Sequence, residues 1–155
     1  MLILQLSLSA ATGRSLMKME LIATFLALGA MGVAPASADM KSDVTAAYGA
    51  WDAAFNKGDA KAVAAFYAAD AKFLPADHSV HTGPADVEKF FAGLFSNGVK
   101  GHKLEPITIG GTEAQPFAAA KWSAKAGDKD IGGVATHIFE RQPDGSLKLK
   151  LRTFN

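Results

Sequence analysis

The residues of this chain that could do chemistry are its four histidines and the carboxylates near them. His137 lies between Thr136 and Ile138, and it is a candidate general base because the unperturbed pKa of histidine is near neutrality. The segment DHSVH, from Asp77 to His81, could offer carboxylate and imidazole ligands to zinc or copper. It lacks the fixed spacing of ligands on a helix, so we expect a solvated turn there and no metal.

Composition excludes several other kinds of site. The 155-residue chain has no cysteine, which rules out disulfides, thiolate metal ligands and thiol nucleophiles. Its 16 basic and 15 acidic residues leave a formal charge of +1, which is not the basic excess of a nucleic-acid-binding protein. Hydrophobic residues make up 49% and charged residues 20%, as in an ordinary globular domain. We expect no nucleic-acid partner and no cofactor.

Residues 1–38 predict a secretory signal peptide. Arg14 and Lys18 precede an uncharged run from Leu21 to Ala34, and the sequence ASA at residues 36–38 resembles a cleavage site. As a helix the run spans about 21 Å, which is short of a bilayer core of about 30 Å. We therefore expect cleavage after residue 38 and no membrane anchor in the mature chain.

The same segment also bears on where the protein begins and where it acts. Met17 and the lysine after it could open a signal peptide of normal length, so we expect residues 1–16 to be an artefact of start-site choice. The mature domain is predicted to cover residues 39–155. We expect it to be exported, in the periplasm or outside the cell.

The first half of the mature chain predicts three helices. Helical spacing of apolar residues and capping signals place them at residues 42–56, from 59 towards 70, and at residues 83–97. Two short extended segments, at residues 71–74 and 78–81, separate the second helix from the third. The apolar stripe of the first helix consists of Val44, Tyr48, Trp51 and Phe55.

After Gly98 the hydrophobic period changes from 3.6 to 2, which predicts strands. The last strand is the clearest, because leucines at 147, 149 and 151 alternate with Lys148, Lys150 and Arg152. This alternation predicts that all three basic residues lie on a wet face. Helices followed by a meander predict an α+β fold with helices packed on one face of an antiparallel sheet. The four predicted strands cover residues 104–109, 117–126, 131–141 and 147–154.

Several motifs together are similar to a known superfamily. They lie in AWDAAFNKGDAKAVAAFYAADAKFLP, HTGPADVEKFFAGLF and IFERQPDGSLKLKLRTFN. The chain resembles the NTF2-like superfamily, and within it the SnoaL-like and DUF4440-type domains related to ketosteroid isomerase. The resemblance implies a cone, in which a curved sheet wraps round three helices and encloses a deep apolar pocket, and it implies homodimers that pair through the sheet. It does not imply one function, because this fold hosts both enzymes and binding proteins.

The resemblance also implies where an isomerase's catalytic groups would fall. Ketosteroid isomerase uses a carboxylate base, with a tyrosine and a protonated aspartic acid as oxyanion hole. Counted from the matched motifs, the tyrosine position falls on Trp51 and the base position on Pro75, and neither residue can exchange a proton. The second acid falls on His137, by a count that also turns Lys150 and Arg152 inward and the leucines outward, against the alternation of the last strand. We do not expect steroid-type isomerisation, and we keep His137 and Asp77 as candidate catalytic residues.

Two other chemistries of the superfamily find no matching motif. Its epoxide hydrolases use an Asp-Arg-Asp arrangement, but Arg141 and Arg152 lie between no suitable carboxylates in the sequence. Its dehydratases use two histidines with tyrosines and an aspartate. The chain contains such components without the motif: Tyr48, Asp52, Tyr67, His78, His81, His102 and His137.

Three functions remain open at the level of sequence. The first is binding of a small apolar molecule in the cone. The second is an isomerase- or dehydratase-like enzyme that uses histidine acid–base chemistry in the same pocket. The third is a dimeric interaction module whose cavity is filled by its own side chains. We expect the ligand-binding residues to be Trp51, Phe55, Phe73, Phe91 and His137.

Overall fold

Residues 40–155 are described by a computed structural model, so the signal peptide predicted at residues 1–38 lies outside the described residues. None of the helices in residues 40–155 has the length and apolar character needed to cross a membrane. The helices are α1 (Met40–Asn56), α2 (Ala60–Ala64) and α3 (Gly83–Ser96). The strands are β1 (Tyr67–Leu74), β2 (His81–Thr82), β3 (Val99–Gly111), β4 (Pro116–Ala126), β5 (Lys129–Arg141) and β6 (Leu147–Phe154).

The strands form one six-stranded sheet in the order β2-β1-β6-β5-β4-β3. The four long strands make the predicted antiparallel meander, but β1 pairs with β6 in parallel. The reason is that α3 carries the chain from β2 to the opposite edge, and the meander then returns β6 beside β1 in the same direction. The predicted α+β class with helices packed on a sheet is confirmed, although the sheet is mixed at this one pairing.

The second helix is shorter than the sequence pattern predicted. It ends at Ala64, and β1 already begins at Tyr67, where the pattern predicted helix towards Asp70. Pairing with the last strand explains the difference, since the Leu149 N–H donates to the Phe66 carbonyl at 2.7 Å and Tyr67 lies opposite Leu149. The tertiary contact overrides the local helical period.

A β-bulge in β6 decides which side chains enter the interior. The consecutive β5 residues Ile138 and Phe139 pair with Leu151 and Leu149. Lys150 is therefore an extra residue in β6. Beyond the bulge the alternation is reversed, so Leu151 faces outward and Arg152 faces inward. Arg152 is 2% exposed, and the prediction that it lies on the wet face is therefore wrong.

The core lies between the helices and the inner face of the sheet. One cross-strand row of that face runs through Ala118, His137, Arg152 and Phe73 on four neighbouring strands. The row places a buried cation between an imidazole and an aromatic ring. Around it the core is largely aromatic, and its buried rings are Tyr48, Trp51, Phe55, Tyr67, Phe73, Phe91 and Phe139.

Candidate functional site

Two cavities lie in this aromatic interior, and Arg152 lines both of them. The smaller has a volume of about 10 Å³ and the larger about 90 Å³. The smaller is lined by Ala47, Tyr48, Trp51, Phe66, Leu104, His137, Phe139, Leu147, Leu149 and Arg152. The larger is lined by Phe55, Phe91, Leu94, Val99, His102, Trp122, Ala124, Ile131, Arg152 and Phe154.

Arg152 is a buried cation held mainly by aromatic rings. Its guanidinium carbon lies 4.0 Å from the centroid of the Trp51 ring, a cation–π contact. One terminal nitrogen donates to the Tyr67 hydroxyl at 3.3 Å. The Nε–H is buried and has no acceptor among the described residues. This part of the chain also places no carboxylate oxygen within 4.0 Å of an Arg152 nitrogen.

The smaller cavity contains a paired tyrosine and histidine. The Tyr48 hydroxyl and His137 Nδ1 are 2.7 Å apart and share a hydrogen bond. His137 Nε2 and the Trp51 indole N–H are both buried, and within residues 40–155 neither makes a hydrogen bond of good geometry; their polar neighbours are the Ala118 backbone and the Tyr67 hydroxyl. The cavity that these residues line has a volume that holds about one water molecule.

The charge states of this pair follow from burial and from Arg152. Desolvation, followed by the positive charge of Arg152, holds the pKa of His137 well below its usual range. Burial likewise raises the pKa of Tyr48, and the charge of Arg152 opposes this in part. Both groups are consequently neutral at pH 7.

The larger cavity is lined by a histidine that a carboxylate orients. Asp52 Oδ1 is 2.7 Å from His102 Nδ1, and Asp52 Oδ2 accepts from the Leu104 N–H at 2.9 Å. An ionised carboxylate only accepts hydrogen bonds, so Nδ1 carries the proton and Nε2 is left as the proton acceptor. Within residues 40–155 nothing hydrogen-bonds to Nε2.

Helix α1 and strand β3 fix the position of this dyad together. Asp52 and Asn56 are one turn apart on α1 and face β3. Asn56 Oδ1 accepts from the His102 N–H at 2.7 Å, and Asn56 Nδ2 donates to the His102 carbonyl at 2.9 Å. The backbone of His102 is thus clamped by Asn56 while its ring is held by Asp52.

The His102 ring is neutral at pH 7. Burial lowers the pKa of His102, and the hydrogen bond to Asp52 opposes this in part. Its ring is packed against Trp51 and Phe55, at centroid distances of 4.7 Å each, and stacks on Trp122 at 6.1 Å. A neutral imidazole in an apolar cavity with a carboxylate behind it can act as a general base.

The residues predicted from the sequence fall in different places. Trp51 and His137 line the smaller cavity, and Phe55 and Phe91 line the larger. Phe73 is fully buried and stacks on Phe91 in the core, where it lines neither cavity.

The predicted positions around the end of β1 lie outside both cavities. Pro75 is buried after the end of β1. Asp77 is exposed and accepts from the Ser79 N–H and hydroxyl at 2.9 Å and 2.6 Å, and these bonds lower the pKa of Asp77. Within residues 40–155 no group of three or more histidine, aspartate or glutamate side chains is arranged to hold a metal ion.

Sequence reasoning missed the two polar residues that line the larger cavity. Arg152 was assigned to the wet face, and His102 was named only as a component without a motif. The third helix was predicted to end at residue 97 and β3 to begin at Leu104, which left His102 outside the sheet. In the structure β3 already begins at Val99. Alternation with the buried Leu104 is the signal that could have placed His102 on the inner face.

Comparison with solved structures shows the same fold in proteins of very different sequence. An NTF-2 like protein of unknown function from Shewanella oneidensis MR-1 is 14% identical, with a TM-score of 0.65 over 74% of this chain and 97% of that chain. A ketosteroid isomerase-like protein from Erwinia carotovora atroseptica is 16% identical, with a TM-score of 0.63 over 76% and 95%. At these identities the likeness establishes the fold alone.

A search of the curated proteins finds no match. The family model described as SnoaL-like domain matches residues 48–148, which include the second half of α1, all the elements from α2 to β5 and the first residues of β6. The predicted resemblance is confirmed, and the chain belongs to the SnoaL-like domain family.

Proposed function

We propose that the mature chain binds a small, mainly apolar molecule in the larger cavity. The observation that carries this proposal is a space of about 90 Å³ lined by eight apolar side chains and two polar ones, Arg152 and His102. Apolar walls with a few convergent polar groups are typical of small-molecule sites.

The volume limits the size of the ligand. One water needs about 10–15 Å³, and drug-sized pockets are about 300–1,000 Å³. An apolar cavity of about 150 Å³ in another protein binds benzene, so a space of about 90 Å³ suits a molecule of about four to six non-hydrogen atoms. The interior is therefore too full for a steroid-sized ligand, which agrees with the unsuitable residues at the isomerase positions.

A cavity-filling substitution tests this proposal. Ala124 lines the larger cavity and is 4% exposed, so Ala124→Leu would occupy much of the space. Butanamide, a neutral probe of suitable size, should change the tryptophan fluorescence of the wild type, because Trp122 lines the cavity. Ala124→Leu should weaken butanamide binding about tenfold or more, since the probe and the new side chain cannot share the space.

The matched control is Ala92→Leu, which adds the same atoms at an exposed position of α3. It should bind butanamide like the wild type. Equal binding by wild type and Ala124→Leu would show that the probe lies elsewhere, and a wild type that binds neither butanamide nor its carboxylate analogue butanoate would contradict the proposal.

A second function, acid–base catalysis in the same cavity, is favoured by the Asp52–His102 dyad. His102 replaces His137 as the base of this alternative, because it lines the larger space and has a carboxylate at 2.7 Å. A general base in such a site would remove a proton next to a carbonyl group.

Hydrogen exchange in a small ketone tests this alternative. Butanone in D2O should exchange its α-protons faster with wild type than with buffer, as followed by proton NMR. His102→Gln should abolish the enhancement, whereas His78→Asn, which alters an exposed histidine, should keep it. Exchange at the buffer rate in the wild type would contradict catalysis of this kind while leaving the binding proposal intact.

Export and a homodimer belong to the same proposal. Export rests on the signal peptide pattern of residues 1–38. A homodimer is supported by the outer face of the sheet, where Phe117 and Val134 are 45% and 44% exposed. On that face Phe117 pairs with Ile138 and Val134 pairs with Lys121, so an apolar patch lies beside a charged residue.

A further inference from the structure

We infer that the ligand of the larger cavity carries a carboxylate group, which pairs with the Arg152 guanidinium. This inference rests on the proposed binding function and adds the chemical class of the ligand. It comes from one observation, a cation that is 2% exposed at the cavity wall and that no carboxylate of residues 40–155 approaches within 4.0 Å.

A guanidinium in this position keeps its charge. Arginine does not deprotonate in proteins, so burial cannot neutralise Arg152 as it neutralises the nearby histidines. An unpaired charge in a low-dielectric interior is strongly unfavourable. The ring of Trp51 at 4.0 Å offsets a part of this cost, but it accepts no hydrogen bond from the buried Nε–H.

Residues 40–155 offer no free carboxylate for this role. The charge of Asp52 acts on the same cluster, but both of its oxygens are engaged by His102 and by the Leu104 N–H. Among the described residues no other carboxylate approaches an Arg152 nitrogen within 4.0 Å. The missing anion therefore has to come from outside the described chain.

The surroundings favour a carboxylate over a phosphate. A guanidinium presents parallel N–H groups that match the two oxygens of a carboxylate. A phosphate would leave further oxygens against Phe91 and Phe154, which line the rest of the cavity. A short apolar tail, in contrast, fits those rings.

The test compares two probes of the same size and shape that differ in charge. Butanoate and butanamide have the same number of non-hydrogen atoms, and their affinities for the full chain are measured by calorimetry. We expect butanoate to bind about tenfold or more tightly than butanamide, because a charge-assisted hydrogen bond replaces a neutral one. Arg152→Met should remove this preference. Arg141→Met is the control, because Arg141 is paired with Asp43 and Glu113 at the surface and lines neither cavity.

The outcomes separate this inference from the proposed function. Equal affinities for the two probes in the wild type would overturn the carboxylate inference and leave the cavity as a neutral site. A preference that survives Arg152→Met would overturn it as well. If neither probe binds, the proposed function and the inference both fail.

A readout on the wild type keeps the test valid if Arg152→Met does not fold. The Nε–H resonance of Arg152 should shift on addition of butanoate in a nitrogen–proton correlation spectrum, because the side chain that lines the cavity gains a negatively charged partner. The resonance of Arg141, whose Nε–H already donates to the Glu113 carbonyl at 2.8 Å, should stay in place. An unchanged Arg152 resonance at saturating butanoate would contradict the inference.

Discussion

At the scale of single residues, the interior holds two neutral histidines, and both make stability depend on pH. The pKa values of His102 and His137 are lowered by burial, and the charge of Arg152 lowers both further. Asp52 opposes the shift at His102, and Tyr48 is the polar neighbour of His137. Below the unfolded pKa of about 6.5, the unfolded chain binds protons that the folded chain does not.

The first prediction concerns this pH dependence. The free energy of unfolding should fall as the pH is lowered from 7 to 5.5, by up to about 1.4 kcal/mol per pH unit for each buried histidine. Denaturant unfolding at the two pH values measures it. His137→Asn should flatten the slope, while His78→Asn, at an exposed position with φ 64°, should leave it unchanged. If the free energy of unfolding of His137→Asn depended on pH as steeply as that of the wild type, His137 would not be a source of the pH dependence.

The second prediction concerns the carboxylate that positions His102. Asp52→Asn removes the charge and replaces one acceptor oxygen by an amide group, so the charge-assisted bond from His102 is lost or is replaced by a neutral one in which the ring proton has moved to Nε2. We expect a loss of about 1–3 kcal/mol in the free energy of unfolding. Asp128→Asn, on the exposed turn between β4 and β5, is the matched control and should change it by less than about 0.5 kcal/mol. Equal effects of the two substitutions would contradict the role given to Asp52.

At the scale of elements, the sequence predicted those parts of the fold that have a clear period. The aromatic stripe of α1, the Gly-Pro start of α3 and the last three strands of the meander lie close to where they were expected, whereas β3 begins at Val99 and not at Leu104. The end of α2 was not predictable, because Tyr67 is drawn into the sheet by its partner Leu149, which is far away in sequence.

The candidate site was predicted only in part, and the bulge in β6 is the main reason. A bulge has no local signal in LKLKLRTF, where strict alternation continues through Lys150. One extra residue reverses the faces after it and brings Arg152 to the inner face. The count from the matched family motifs turned both Lys150 and Arg152 inward and the leucines outward, so it was right for Arg152 but wrong for Lys150, which pairs with Asp70 and Glu140, and for the buried Leu149.

The third prediction uses the glycines of two elements. Gly49 lies in the middle of α1 with no atom within 4 Å of an added Cβ, so Gly49→Ala should raise the free energy of unfolding by about 0.5–1 kcal/mol. Gly132 lies in β5, where an added Cβ would be 2.6 Å from the Trp122 carbonyl oxygen. Gly132→Ala should therefore lower the free energy of unfolding. Denaturant unfolding of both variants shows whether one is stabilised and the other destabilised. A stabilised Gly132→Ala would contradict the strand packing described above.

At the scale of the whole molecule, the outer face of the sheet is the surface expected to form the homodimer. Val134 is 44% exposed there, and Val134→Lys would place a charge in the apolar patch. We expect light scattering to give twice the chain mass for the wild type and the single mass for Val134→Lys. Val80→Lys, at a 64% exposed position outside the strands, should remain dimeric. A monomeric wild type would contradict the homodimer.

The most direct test of the account is a crystal structure of the full chain with saturating butanoate. We expect the probe in the cavity of about 90 Å³, with its tail against Phe91 and Phe154 and a carboxylate oxygen within hydrogen-bond distance of the Arg152 guanidinium. Arg152 pointing to solvent, or a cavity that stays empty while butanoate lies elsewhere, would contradict it.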